Sequence, residues 1–237
     1  MTTQATVANA AGINVLCSNS SHAVMDELIP EFERASGHKV AISYDAAKLM
    51  LSRIAGGEMA DLVILNAPAI DELMQQGRVA AGSRRDLARC GVGIAVRAGA
   101  AKPDISSVEA LKRTLLDAKS IAYTEAGASG IYFAGLIERL GIAAQVQAKA
   151  RTRPGGLIGE LVAKGEAELA VQQIPELMAV AGIDLAGPLP REVQSVSVIS
   201  AGVFADARQP QAAQALLEFL STPAAARVYK AKGLEPA

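Results

Sequence analysis

The feature of this sequence that most restricts its fold is a regular alternation of short apolar runs with amphipathic helical segments. The first three runs are INVLC (13–17), KVAISY (39–44) and ADLVIL (60–65), and apolar residues at helical spacing follow each of them. Strands joined through helices run parallel, because the crossover helix returns the chain to the same end of the sheet. The pattern therefore predicts an α/β protein with helices on both faces of its sheets.

A second α/β cycle begins at GVGIAV (91–96). The same reasoning predicts helices over 107–118, 130–140 and 157–164, strands at SIAYT (120–124) and AELAVQQ (167–173), and an intervening segment AQVQAKA (144–150). A long β-rich run, VQSVSVISAGVFA (193–205), and two helices then close the chain. Two cycles of unequal length, with terminal helices left over, indicate two lobes rather than one long sheet.

Two polar segments, GSRRDLARC (82–90) and PREVQSV (190–196), bracket the middle of the chain and are predicted to cross between the lobes. On this interpretation residues 13–84 and 196–237 form lobe I, and residues 85–195 form lobe II, which is inserted into lobe I. Ligands of open α/β sheets bind at the carboxyl ends of the strands. We therefore expect the ligand cleft between the two lobes.

Composition narrows the class of partner. The 23 Lys and Arg residues nearly balance the 24 Asp and Glu residues, aromatic residues make up 3% of the chain, and tryptophan is absent. This composition disfavours a nucleic-acid or membrane surface and recognition by stacking. Cys17 and Cys90 have no metal-ligand spacing and are predicted to be small apolar core residues. We expect a monomer that binds a small anionic ligand and holds no metal or cofactor.

The N-terminal segment MTTQATVANAAG has neither the basic region nor the apolar stretch of a secretory signal, so the chain as given is predicted to be cytoplasmic. No apolar run is long enough to span a bilayer. Residues 8–10 (ANA) resemble the end of a cleavage site, which leaves open a periplasmic location if a leader has been removed.

Two loops have the composition of an anion site. The loop after the first strand carries four small polar residues: Ser18, Asn19, Ser20 and Ser21. The segment YTEAGASGIYF (123–133) places Ser129 and Gly130 in the equivalent position of the second cycle. Backbone N–H groups and the positive end of the helix dipole favour anions at such helix starts. One loop alone would equally suit helix capping, but two loops in matched positions predict an anion clamp.

The order and the amino-acid sequences of these segments resemble those of the periplasmic molybdate-binding proteins of the type II substrate-binding fold. The resemblance covers nearly the whole chain and includes SHAVMDELIPEFERASGHKVAISYDAA, GGEMADLVILNAPAIDELMQQGRV, ASGIYFAGLIERLG and FLSTPAAARVYKAKGLEP. It implies a two-lobed type II periplasmic-binding-protein fold, in which each lobe is a mixed, mainly parallel sheet flanked by helices. It also implies a solute-binding role, with an ABC permease as partner if the protein is exported.

The sequence departs from that family where the ligand is held by hydroxyls, backbone N–H groups and a tyrosine. Ser20 matches the first ligand serine, but Asp45 stands in the normally serine-rich second loop, and Gln172 takes the place of the tyrosine. Arg153 lies near the remaining contact, and its planar guanidinium suits a carboxylate. These changes predict an organic (poly)carboxylate as ligand rather than molybdate. We expect Ser20, Ser129 and Arg153 to bind its carboxylate and Gln172 to contact a second polar group.

Some proteins resembling this family isomerise aconitate by removing a proton next to a carboxylate. The sequence thus predicts a solute-binding protein for a small anion, with a cofactor-free isomerase of an unsaturated polycarboxylate as the alternative. For the isomerase the candidate catalytic bases are Glu125 and His22, with Asp45 as a third. Each also has a structural interpretation: a charge on a helix dipole for Glu125, a solvated first-turn residue for His22, and a helix cap for Asp45.

Overall fold

The computed structural model describes residues 12–237, and the leader and cleavage-site predictions, which fall mainly on residues 1–11, lie outside the described residues. Within the described part the strands are β1 Gly12–Ser18, β2 Lys39–Asp45, β3 Leu62–Asn66, β4 Arg85–Arg97, β5 Ile121–Thr124, β6 Ala150–Arg153, β7 Leu169–Gln173, β8 Ile183–Pro188, β9 Val196–Val203 and β10 Glu235–Pro236. In the same range, no helix is long and apolar enough to cross a membrane.

The helices alternate with these strands. They are α1 His22–Ser36, α2 Ala47–Ala55, α3 Ala67–Gln75, α4 Val108–Asp117, α5 Ala128–Arg139, α6 Ala143–Gln147, α7 Gly159–Ala163, α8 Ile174–Met178, α9 Pro210–Leu220 and α10 Pro223–Ala231. Short 3₁₀ turns lie at Asn19–Ser21 and Arg191–Val193. The sequence pattern predicts neither α8 nor β8. The β8 sequence, IDLAGP, contains Asp, Gly and Pro, which are depleted in strands.

Hydrogen bonds link the strands in one order, β2-β1-β3-β9-β4-β7-β5-β6, so the two lobes are not separate sheets but share β4. On each side of the middle of β4, one lobe is built on a mixed sheet. In lobe I, β1 pairs in parallel with β2 and β3, while β9 runs antiparallel to β3 and to the first half of β4. In lobe II, β5 pairs in parallel with β6 and β7, while the second half of β4 runs antiparallel to β7 and β8. The parallel strands place their carboxyl ends, and the helix starts that follow them, toward the other lobe.

One long strand, β4, connects the lobes where the sequence pattern predicts a polar crossing followed by a new strand. Gly91 of β4 pairs with Val196 of β9, and the next residue, Val92, pairs with Gln173 of β7. The first half of β4 is polar only on its outer face, since Leu87, Ala88 and Cys90 are buried. Those outward charges hide the strand from a sequence-based interpretation.

The apolar core divides at the same point of β4. Leu87, Ala88 and Cys90 pack into the core of lobe I, and Val92 and Ile94 pack into that of lobe II. The second crossing is held against the first by Gln194, whose Oε1 accepts from the Val92 N–H at 2.8 Å and whose Nε2 donates to the Val92 carbonyl at 3.0 Å. The boundary at residue 85 stays a prediction, and the two cores favour a crossing at 91–92.

Candidate functional site

A small cavity lies between the lobes at the carboxyl ends of the parallel strands. The part of its lining that comes from lobe I includes Ser18, Asn19, Ser20, Ala46, Ala47 and Asn66. The part from lobe II includes Thr124, Gly127, Ala128, Gly155, Gln172 and Glu176. The volume open to the centre of a water molecule is about 30 Å³, so the cavity is small while the lobes are closed.

The lobes are closed around this cavity. Gly155, in the loop after β6, lies so near lobe I that a Cβ built on it would be 3.3 Å from the Cβ of Ala46 and 3.7 Å from a methyl of Leu49. A side chain at this position would press on the start of α2. Entry of a ligand therefore requires the lobes to move apart.

Several helix starts converge on the cavity. Its lining includes the N-terminal capping residues of α2, α3 and α5, which are Ala46, Asn66 and Gly127. Asn66 caps its own helix, since its side chain accepts from the Ala69 N–H. Ala46 and Gly127 make no side-chain cap. The first-turn N–H groups of α2 and α5 are thus available to a ligand, and the helix dipoles favour an anion.

Buried hydroxyls add hydrogen-bonding groups to the cavity. The Oγ atoms of Ser18 and Ser20 lie 3.0 Å apart and both residues are buried. Thr124 Oγ1 is also buried and has no hydrogen-bond partner within residues 12–237. Since buried polar atoms are almost always paired, this hydroxyl indicates that a ligand or water completes the site. Ser21 lies off the lining, beside the buried thiol of Cys17.

Gln172 lines the cavity as predicted, but its amide is already engaged. Its Oε1 accepts from the Ile158 N–H at 3.0 Å, and its Nε2 donates to the Gly156 carbonyl at 2.8 Å. These bonds fix the loop that carries Gly155. The structure thus gives Gln172 a role in shaping the lobe II wall, in addition to the ligand contact that the sequence predicts.

Asp45 lies just outside the lining, beside a cation that it shares with a second carboxylate. Its Oδ1 accepts from the Ala46 N–H at 2.8 Å, and its Oδ2 lies 3.3 Å from Nη1 of Arg53. Arg53 lies closer to Glu58, at 2.6 Å. Arg53 therefore offsets only part of the negative charge that Asp45 would present to a bound anion.

Ser129 and Gly130 lie in the first turn of α5, are buried, and are not part of the lining. A Cβ on Gly130 would lie 1.6 Å from the carbonyl oxygen of Thr124. The glycine thus allows α5 to start directly against the end of β5. This close approach is a packing requirement that accounts for Gly130 without a ligand contact.

Three predicted charged residues are not brought to the lining. Arg153 is partly exposed, with Nη1 3.5 Å from Oε2 of Glu160. Glu125 is exposed and accepts from Thr152 Oγ1 at 2.7 Å. His22 packs on Tyr44, with ring centroids 4.0 Å apart, and lines an outer groove. Within residues 12–237, no cationic side chain lines the cavity, and no cluster of His, Cys, Asp or Glu could hold a metal ion.

The acidic group that does line the cavity is Glu176, which the sequence interpretation missed. It lies in the first turn of α8 and is 9% exposed. Burial raises the pKa of its carboxyl to about 8, although hydrogen bonds from the Gln173 backbone and the Gln172 side chain act in the opposite direction. In sequence, Glu176 stands three residues after Gln173, a spacing typical of helix capping, and nothing local signals its burial.

The sequence profile of the bacterial extracellular solute-binding proteins matches residues 13–235. The chain belongs to this family. Its relatives include an aconitate isomerase from a Pseudomonas species, 38% identical over 94% of this chain and 87% of that protein. They also include the molybdate-binding protein ModA of Azotobacter vinelandii, 28% identical over 97% of this chain and 92% of that protein.

Solved structures of the family show the same fold. The periplasmic molybdate-binding protein of Azotobacter vinelandii superimposes with a TM-score of 0.79 at 18% identity, covering 94% of this chain and 98% of that one. The predicted resemblance to molybdate-binding proteins and the predicted two-lobed α/β fold are therefore confirmed. This family member is a solute-binding protein by fold.

Proposed function

We propose that the protein binds a small organic polycarboxylate in the interlobe cavity and isomerises an unsaturated tricarboxylate of the aconitate type. The observation that carries this proposal is the mixed chemistry of the cavity lining. Hydroxyls and helix starts suit carboxylate groups, the methyls of Ala46, Ala47 and Ala128 suit a carbon skeleton, and Glu176 adds a buried carboxyl.

The same lining argues against a tetrahedral metal oxyanion. Ala46 and Ala47 line the cavity at the loop where the resembling family carries hydroxyl donors. Each missing donor leaves part of an oxyanion unpaired in a nearly dry site, at a cost of about 1–3 kcal/mol. A methylene or vinyl carbon forms no hydrogen bonds, so it can pack against these methyls without this cost. We therefore expect molybdate to bind weakly or not at all.

The chemistry of the proposed isomerisation is a proton transfer. A base removes a proton from the methylene carbon of the substrate, and the electron pair delocalises over the three-carbon unit into the adjoining carboxylate. The proton then returns to the other end of that unit, so the double bond moves and no electron is gained or lost. Such a step needs a base and donors that stabilise developing negative charge, and α2 and α5 supply such donors at their N-termini.

The relative that shares the most sequence with this chain among those above also supports the proposal. That relative is an aconitate isomerase, and the match extends over both lobes. The molybdate-binding relative is less similar in sequence. One relative is a binding protein and the other an enzyme, so the fold does not indicate which function applies here. The residues that line the cavity have to indicate it.

A ligand screen followed by a turnover assay tests the proposal. Molybdate, tungstate, sulfate, citrate, tartrate, cis-aconitate and trans-aconitate are compared by thermal shift, because a ligand of the native state raises the melting temperature. Each aconitate isomer is then incubated with the protein, and the other isomer is followed by proton NMR. We expect stabilisation by the aconitates and interconversion of the two isomers.

The second candidate function is binding without turnover, which the family membership and the closed interlobe cleft favour. Stabilisation by a polycarboxylate with no interconversion of aconitate would select this candidate, for which an ABC permease would be the partner if the protein is exported. Submicromolar molybdate affinity, with no response to carboxylates, would contradict the isomerase and the polycarboxylate ligand, and would leave solute binding itself standing. Calorimetry with molybdate distinguishes that outcome.

A further inference from the structure

We infer that Glu176 is the residue that accepts the substrate proton and returns it during the isomerisation. This inference rests on the proposed function and assigns a residue to its chemical step. It stands on the position of the side chain, which is buried, lines the cavity and lies among the donors that would hold the substrate carboxylates.

The place of α8 in the fold keeps Glu176 at the junction of the lobes. This helix packs on β4, β7 and β8 of its own lobe and also on α1 and the 3₁₀ turn Asn19–Ser21 of lobe I. Glu176 therefore shares the cavity with Ser18, Asn19 and Ser20 of the other lobe. A substrate clasped between the lobes would lie in contact with its carboxyl.

The alternative bases do not reach the same place. Glu125 is exposed and bound to Thr152, and Asp45 is paired with Arg53. His22 lies in the outer groove, with Nε2 3.7 Å from Oδ1 of Asp26. A general base has to lie within hydrogen-bonding reach of the proton that it removes. Within residues 12–237, Glu176 is the ionisable side chain of the lining that meets this requirement.

Burial, rather than a neighbouring charge, is the main influence on the pKa of Glu176. The titratable side chains on the elements packed against α8, or beside it in the outer groove, include Arg89 and Cys90 on β4, His22, Asp26 and Glu27 on α1, Lys232 after α10, and Asp184 on β8. Burial, with Glu176 as a smaller cause, raises the pKa of the Cys90 thiol to about 12, so that thiol is neutral near pH 7. Arg89 acts on Asp86, Asp184 accepts from the Gly99 N–H, and Lys232 pairs with Glu27.

A carboxyl with a pKa of about 8 suits this role. Near neutral pH it is protonated and can donate a hydrogen bond to a substrate carboxylate without repelling it. Its ionised form is a stronger base than an ordinary glutamate. The ionised oxygen takes the methylene proton, becomes the neutral acid, and gives that proton to the far carbon, so the residue ends each turnover as it began.

A structural role for Glu176 makes different predictions. As a capping residue it would only accept from the Gln173 N–H, and glutamine would serve equally well. Glu176→Gln retains the shape and an accepting oxygen but cannot take up a proton. The matched control is Glu138→Gln, an exposed glutamate on α5 that does not line the cavity.

The experiment measures turnover of aconitate and its dissociation constant for wild type and both variants between pH 6 and 9. For Glu176→Gln we expect kcat to fall at least about 100-fold, while the dissociation constant at pH 7 stays within about threefold. Glu138→Gln should match wild type in both. In wild type, kcat should rise with pH and affinity should fall about tenfold between pH 7 and 9, because an ionised Glu176 repels the ligand.

The outcomes separate this inference from the proposed function. Turnover by wild type together with undiminished turnover by Glu176→Gln overturns the assignment and leaves the isomerase proposal standing. No interconversion by folded wild type overturns both. If Glu176→Gln does not fold, the pH profile of wild type decides, since a kcat and an affinity that do not change between pH 6 and 9 contradict proton transfer by Glu176.

Discussion

The ionisable groups of the cavity show how strongly the surroundings of one side chain change its chemistry. Glu125 and Glu176 are both glutamates beside helix starts of lobe II, but Glu125 is exposed while Glu176 is 9% exposed. Burial disfavours the charged form and raises the pKa of Glu176 to about 8. The ionised form of Glu176 therefore destabilises the folded state.

This shift predicts how stability depends on pH. The pKa of Glu176 is higher in the folded state than its ordinary value of 4.5, so the folded state holds a proton that the unfolded state releases. The free energy of unfolding should therefore fall as pH rises from about 4.5 to 8, by at most about 1.4 kcal/mol per pH unit from this group. Glu176→Gln should remove this contribution and be more stable than wild type at pH 8.

Urea denaturation of wild type, Glu176→Gln and Glu138→Gln at pH 5 and 8 checks the prediction. The stability gain of Glu176→Gln over wild type should be larger at pH 8 than at pH 5 by more than about 2 kcal/mol. Glu138→Gln should show no such difference. Equal gains at the two pH values would mean that Glu176 is ionised across this range.

At the level of elements, the start of α5 is fixed by the absence of a side chain at Gly130. A Cβ there would lie 1.6 Å from the Thr124 carbonyl oxygen, far closer than two non-bonded atoms can approach. Gly130→Ala should therefore push α5 away from β5 and destabilise the protein by about 3 kcal/mol or more. Because Gly127 and Ala128 line the cavity at the same helix start, ligand affinity should fall as well.

Gly135→Ala on the same helix is the matched control. Its Cβ would meet nothing nearer than a guanidinium nitrogen of Arg139 at 3.5 Å. Alanine favours a helix more than glycine does, so this variant should be equally stable or more stable by up to about 1 kcal/mol. Thermal denaturation of both variants tests the comparison, and a Gly130→Ala protein as stable as wild type would contradict it.

For the molecule as a whole, closure of the lobes depends on the loop that carries Gly155. The two lobes meet where Gly155 approaches Ala46 and Leu49. The side chain of Gln172 fixes this loop through its hydrogen bonds to the backbone of Gly156 and Ile158. Gly155→Leu should hold the lobes apart and weaken ligand binding at least about tenfold, with little loss of stability, because the leucine would project into the cleft rather than into either core. Gly155→Ala should have a smaller effect.

Calorimetry with the ligand found in the screen, together with small-angle scattering, measures this effect. With ligand present, Gly155→Leu should be less compact than wild type. A leucine variant that binds with wild-type affinity would show that closure at this loop is not needed to hold the ligand.

Much of the fold is encoded locally. The alternation of apolar runs with helical patterns gives the order of the main elements, because strand and helix periods appear within windows of ten or so residues. The position of the first polar loop at the cleft was also predictable, since Ser18, Asn19 and Ser20 follow directly on a strand and line the cavity. Its binding of an anion stays a prediction. The continuity of β4 was not, because the charges on its exposed face resemble those of a linker.

Tertiary structure alone decided which ionisable groups reach the cavity. The pairing of Asp45 with Arg53 and of Arg153 with Glu160 depends on side chains brought together by the folded chain. The burial of Glu176 depends on α8 packing against a turn of the other lobe, more than 150 residues away in sequence. The sequence by itself therefore determined the order of the main elements and the kind of cleft. The protonation chemistry was decided by long-range packing, because desolvation depends on neighbours that no local pattern records.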